Sequence, residues 1–347
     1  MPWRTGLWPP HTLYNTSEDH CDYIFVDNNN IIIAMAPVYV ISVLRFIFNA
    51  FVLMVFCLHK KACTVTEIHL SKLTGTQLLL VCCLPFWVDD ARANYDWPFS
   101  ESLCKLIPAV IRMSTCCNIY FLVLAILDCY VALVHPLFHE LMSRPFYAKV
   151  GCLFVWSFGL VFALPIFIII KLEFNPQSNT TECTLDSTSL DQYLLYEVRD
   201  IIFNFIIPVV IISFCAVRII QILRKRLMGV LKPERTEQKT TTLILAVVLS
   251  YLICWVPVHV ASLLVLLKCH IILVIIQEVS MYLLFFNSVL IPILHVIIGK
   301  SFQNRTKEFF KHKNKHHYIT TLSNHRAWIL PLLSKNYYFD SASLGTN

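Results

Sequence analysis

Leu106 to Val134 reads LIPAVIRMSTCCNIYFLVLAILDCYVALV, with Arg112 and Asp128 as its charged residues. A helix needs roughly 20 residues to cover a ~30 Å hydrocarbon core, and this run exceeds that. A soluble helix of such length would carry a polar stripe along one face. This one carries none. Comparable runs recur at about 32–58, 67–88, 150–170, 200–223, 241–267 and 271–298. The sequence therefore predicts an all-α membrane protein, a seven-transmembrane helix bundle.

Composition agrees. The chain has 347 residues, 57% hydrophobic and 14% charged, whereas a soluble domain carries roughly a quarter charged residues. The first residues, Met1–Pro10, lack the apolar run of a cleavable signal, so the first span is expected to direct its own insertion. Three segments follow: an extracellular amino-terminal segment at 1–30, the bundle at 31–299, and a cytoplasmic helix and tail at 300–347. In 300–313, Phe302, Phe309 and Phe310 alternate with lysines at helical spacing. That pattern suits a short amphipathic eighth helix on the inner membrane surface; the alternative is an unstructured basic tail.

Charge sets the orientation. Arg218, Arg224, Lys225, Arg226, Lys232, Arg235 and Lys239 gather between the fifth and sixth spans, and a second basic group follows the seventh. Positive loops belong inside. Acidic residues gather on the other side: Glu18, Asp19, Asp22 and Asp27, then Asp89, Asp90, Asp96 and Glu101, then Glu173, Glu182, Asp186, Asp191, Glu197 and Asp200. The expected location is the plasma membrane, multi-pass, with the amino terminus outside. The sequons at Asn15 and Asn179 fall on that outer side, as glycosylation requires. The bilayer is thus a partner, and no nucleic acid is expected as one.

Nine cysteines, among them Cys116, Cys117 and Cys129, lie in or beside apolar runs and read as buried thiols. Cys21, Cys104, Cys183 and Cys269 lie at the oxidising outer side. Four cysteines permit three pairings, and spacing does not choose among them. No close CxxC or CxxH pair suggests a metal on that side, and no cofactor is expected. GxSxG, HExxH and paired intramembrane aspartates are absent, so an enzyme is not expected. Neither the paired repeats nor the interrupted helices of transporters appear.

The marks on each span resemble the rhodopsin-like family of G-protein-coupled receptors over about 30–312. They are Asn49 in span one, Cys104 and Cys183 at the outer side, Trp156 in span four, Pro208 in span five and Cys254-Trp255-Val256-Pro257 in span six. Within that family the chain looks most like the kinin (bradykinin) receptors. Leu84-Pro85-Phe86-Trp87, Asp96-Trp97-Pro98-Phe99, Ser213-Phe214-Cys215, Ile222-Leu223-Arg224, Lys239-Thr240-Thr241 and Cys254–His259 carry that likeness. The resemblance implies disulfides Cys104–Cys183 and Cys21–Cys269, a cationic kinin-like peptide ligand, and heterotrimeric G-protein coupling. It places Trp255 beneath the ligand. With helix ends taken into account, Trp87, Trp97, Arg112, Trp255, His259, Glu278 and Tyr282 become the expected ligand-cavity residues. Glu278 reads as a partner of the ligand or of Arg112, and Arg112 as a cavity residue or the partner of an outer-loop carboxylate. An acidic vestibule steers a cationic ligand, although solvated loop carboxylates would look the same.

Departures from the family pattern fall on its activation motifs. Gln77 stands where the family has a span-two aspartate, Asp128-Cys129-Tyr130 where it has Asp-Arg-Tyr, and Ile291-Pro292-Ile293-Leu294-His295 where it has NPxxY; Pro257 and Pro292 keep their places. Cys129 has neither the reach nor the five donors of a guanidinium. Val265 and Val274 stand where kinin receptors carry carboxylates. These losses favour, as an alternative, a receptor that binds ligand without coupling. Arg45 and Lys72 add charges inside spans, each costing roughly 2.5–3.5 kcal/mol at the membrane centre. Lys72 has the position to snorkel; for Arg45 the sequence offers no account.

Overall fold

Each apolar run becomes a helix, because a chain in hydrocarbon must satisfy its own backbone donors and acceptors. The computed structural model describes residues 28–58, 64–93, 96–142, 145–176, 179–185, 195–196, 198–228, 235–267, 271–298 and 302–307. The helices are α1 (Asn28–Leu58), α2 (Val65–Arg92), α3 (Glu101–Val134), the short α4 (Pro136–Met142), α5 (Pro145–Ile169), α6 (Ile207–Leu227), α7 (Arg235–Leu267) and α8 (Ile271–Ile298). All but α4 are spans. Six of them are long and apolar enough among the described residues to cross a membrane, and α8 has the length of α2. A hairpin of β1 (Ile170–Asn175) and β2 (Thr180–Leu185) follows α5, antiparallel, with Leu172 opposite Cys183.

Local chemistry explains the joints. Thr64 and Glu67 form a reciprocal cap that starts α2: Glu67 N donates to Thr64 Oγ1 at 3.2 Å, and Thr64 N to Glu67 Oε2 at 2.8 Å. Pro208 has no N–H, so the turn before it loses a donor. The chain answers with a π-helical turn, Ile201–Ile206, leading into α6. Two tyrosines reach its carbonyls from neighbouring helices. Tyr120 OH donates to Phe203 O at 2.9 Å, and Tyr251 OH to Asn204 O at 3.4 Å. Gly159 lets α5 approach α3, since a Cβ there would collide with Cys117 Sγ.

α3 is the axis. Ile119, Phe121, Ala125 and Ile126 are fully enclosed against Ile212 and Ile219 of α6 and Val247 and Tyr251 of α7. Lys72, by contrast, is exposed at the α2 surface, as snorkelling requires. The helix at 302–307 docks Phe302 against Phe51 and Phe56 of α1. Arg305, one of the basic residues after the seventh span, is buried there and forms a bidentate pair with Glu67, at 2.8 and 3.3 Å. Residues Phe309 and Phe310 lie outside the described residues.

Candidate functional site

At the hairpin end of the bundle, the disulfide Cys104–Cys183 joins the first turn of α3 to β2, with Cα atoms 5.6 Å apart. Of the four outer cysteines, these two are joined; Cys21 and Cys269 lie outside the described residues, as does Asn15. The hairpin is hooked to the α2–α3 loop through both backbone groups of Thr181 on β2. Trp97 N donates to Thr181 O at 2.7 Å, and Thr181 N donates to Asp96 Oδ1 at 2.8 Å. Asn179, the other sequon residue, sits exposed at the hairpin turn with φ of 54°, a conformation that asparagine tolerates better than most residues.

Beneath this cover lies a buried charge cluster. Arg112 NH1 of α3 meets Asp200 Oδ1 at 3.1 Å, and Asn204 Nδ2, one turn along, donates to the same oxygen at 2.8 Å. Both members of the ion pair are buried. Tyr196 covers them: the Arg112 guanidinium lies 5.0 Å from its ring centroid, and that of Arg199 lies 4.7 Å away. Arg199 also stacks 4.0 Å over Phe162 and donates to Phe162 O at 2.9 Å. Guanidinium groups favour such faces because the ring quadrupole offsets lost hydration.

α7 supplies the aromatic floor. Tyr251, Trp255 and His259 stack in series at helical spacing, 5.5 and 5.8 Å between centroids, and Phe205 stacks on His259 at 4.7 Å. Trp255 Nε1 and His259 Nε2 are buried with no partner among the described residues. Two orphaned polar atoms on one helix face are what a ligand or bound water would satisfy.

The expected cavity residues therefore separate. Arg112 pairs with Asp200, while Trp255 and His259 stack on each other along α7. Trp97 does not join them. Its indole donates to Ser100 O at 3.2 Å and packs on Phe99 beside the disulfide, buried in the cover. Trp87, Glu278 and Tyr282 lie on α2 and α8, with side chains outside the described residues. The sequence reading missed Asp200, Asn204, Tyr196 and Arg199. It counted Asp200 among the outer acids, although a carboxylate at the start of a span, opposite an arginine one helix away, was a usable signal. Asp96 and Glu182 are likewise engaged internally; Glu182 Oε1 holds Asn175 and Thr180 at 3.0 and 3.2 Å. The acidic vestibule is thinner than the composition implied.

The altered motifs occupy two further places. Midway, Arg45 donates to Gln77 Oε1, and Gln77 Nε2 donates to Asn118 Oδ1 at 2.7 Å. At the basic end, Asp128 accepts from Thr66 and lies 3.6 Å from His139 Nε2. The Cys129 thiol donates to Thr241 Oγ1 of α7 at 3.6 Å, while Tyr130 packs on His135 and Phe214. Pro257 and Pro292 lie inside α7 and α8. Ile291 is buried; the His295 side chain is outside the described residues.

Sequence comparison adds an independent observation. Residues 48–295 match the model of the 7 transmembrane receptor (rhodopsin family). The B2 bradykinin receptor of Oryctolagus cuniculus is 36% identical over 292 residues, covering 80% of this chain and 79% of that protein. The B2 bradykinin receptor of Homo sapiens is 34% identical over 79% of the chain and 73% of its own length. The B1 bradykinin receptor of Homo sapiens is 28% identical over 95% and 99%.

Proposed function

The chain belongs to the rhodopsin family of seven-transmembrane receptors, and from that premise we propose that it is a plasma-membrane receptor for a cationic, kinin-like peptide. Its amino terminus faces outside, by the charge asymmetry of its loops. The ligand enters at the hairpin end and rests on the floor of Trp255 and His259, beside the Arg112–Asp200 pair. Trp87, Glu278 and Tyr282 complete the cavity from α2 and α8. The observation that carries this reading is the pair of ring nitrogens at Trp255 and His259 that are unpartnered among the described residues, on a helix whose Cys254–His259 stretch is one of those that resemble the kinin receptors. The second proposed disulfide, Cys21–Cys269, ties the amino terminus to the loop before α8.

Signal passes to a heterotrimeric G protein at the basic end, weakly, because Cys129 lacks an arginine's reach. The deciding experiment is binding of radiolabelled bradykinin to intact cells with surface expression measured in parallel. Saturable binding that falls at least about fivefold on His259→Phe supports the site, a lost hydrogen bond being about 1 kcal/mol. No binding at full surface expression removes the kinin reading.

A further inference from the structure

Arg45 is the largest of the fully enclosed side chains in the described core, at 1% exposure. One guanidinium nitrogen donates to Gln77 Oε1, and Gln77 passes the chain on to Asn118. Asn49, one turn beyond Arg45, donates to Arg45 O at 2.8 Å and to Ser288 O at 3.1 Å. Four spans, α1, α2, α3 and α8, therefore meet around one positive charge. Every side-chain acceptor in the cluster is a neutral carboxamide, and among the described residues no carboxylate forms an ion pair with Arg45. Arg45 Nε, Asn49 Oδ1 and Asn287 Oδ1 are buried with no partner among the described residues. Oxygen atoms, carboxamide carbonyls among them, are the ligands that hard cations select. Here a cation is already present, covalently attached.

We infer that Arg45 is the resident cation of this cluster, fixing α1 to α2 and α3 through Gln77 and excluding mobile cations from the bundle. The exclusion is electrostatic. A second unit charge ~5 Å away, at an effective dielectric of ~20, would bind a few hundredfold more weakly than in the arginine's absence. Gln77 is a positioning residue here. Its oxygen faces the guanidinium and its amide group holds Asn118, so a carboxamide serves where a carboxylate would bind the same arginine more tightly. The inference rests on the bundle's geometry and is independent of the ligand's identity.

Thermal unfolding of the full chain purified in detergent tests it, compared in sodium chloride, N-methyl-D-glucamine chloride and sodium gluconate at equal ionic strength. The unsubstituted chain is expected to melt within about 1 °C in all three, and Arg45→Met/Gln77→Asp to gain a sodium-specific rise of about 3 °C or more. Gln77→Leu strands the guanidinium and is expected to lower the midpoint by more than about 4 °C, with Arg45→Met/Gln77→Leu recovering most of the loss. A sodium-specific or anion-specific shift in the unsubstituted chain overturns the inference, as does a Gln77→Leu chain as stable as the original. Should the aspartate variant not fold, the salt series and the leucine pair still decide.

Discussion

Two arginines are buried in this bundle, Arg45 on the first span and Arg112 on the third, alike in enclosure, and they solve the same problem differently. Arg112 has an aromatic face and a carboxylate, and that carboxylate is itself held by the Asn204 carboxamide. Arg45 has a carboxamide. A buried pair repays desolvation only when geometry is good and the remaining donors are filled. The Arg112 cluster approaches that condition, with Arg199 adding a second guanidinium against Tyr196 and Phe162. The Arg45 cluster does not, which makes its charge dependent on the dipoles of α2 and α3. The first arrangement is robust to what surrounds it and fragile to loss of one partner. In the second, no carboxylate pairs with the guanidinium among the described residues, and the cation itself commands the local field.

The largest effect that could break this contrast is expected at Asp200. Removing one member of a buried ion pair costs about 3–5 kcal/mol, so Asp200→Ala should lose surface expression and melt far below the original chain in detergent. Asp200→Asn should lose less, because its oxygen still accepts from Arg112. Arg112→Met/Asp200→Leu should recover most of the loss. An Asp200→Ala chain that melts normally would mean that Arg112 does not depend on this carboxylate.

A third arginine sharpens the comparison. Arg305 is held by both oxygens of Glu67, and Glu67 also caps α2 through Thr64. Hydrogen bonds to charged groups contribute about 1.5–3 kcal/mol. Glu67→Gln should therefore cost less than Asp200→Ala, since the amide keeps one acceptor for Arg305. The measurement is again the melting midpoint, with Glu67→Ala as the more severe control. Should Glu67→Gln cost as much as Asp200→Ala, carboxylate pairing rather than burial depth sets the scale.

The spans were legible in the sequence because hydropathy is a one-dimensional signal, whereas the Cys104–Cys183 bridge was implied by the family resemblance, compartment alone having left three pairings open. What the sequence could not show was pairing between helices. Arg45 looked inexplicable because its partner lies on the next span at a rotation that periodicity does not specify. Asp200 looked like a loop acid because Pro208, by displacing the helical register before it, turns that residue inward. Trp97, expected in the ligand cavity from the position of its loop, has its indole in the cover over α3. In each case the misreading came from treating a charge or an aromatic ring by its neighbours in sequence.

The smallest effect is expected where the chain departs furthest from its family, at Cys129. Its thiol meets Thr241 of α7, a contact that holds the two helices near each other at the basic end. An arginine there would bring five donors and a long reach to a G protein once the helices part. A ligand shifts the balance of states only through its differential affinity for them, so a contact missing from the active state cannot be restored by stronger binding alone. Cys129→Arg should raise the calcium or cyclic-nucleotide response by less than about tenfold, 1.4 kcal/mol being a factor of ten. Ile291→Asn and His295→Tyr remain to be restored on α8, and the triple substitution should exceed the single one. The guanidinium must also fit where a thiol now packs, near Asp128, which already accepts from Thr66 and faces His139. At matched surface expression, a parent chain that signals as strongly as the triple variant would show that the Cys129–Thr241 contact opens without an arginine to reward it, and that the reading of these departures as a loss of coupling is wrong.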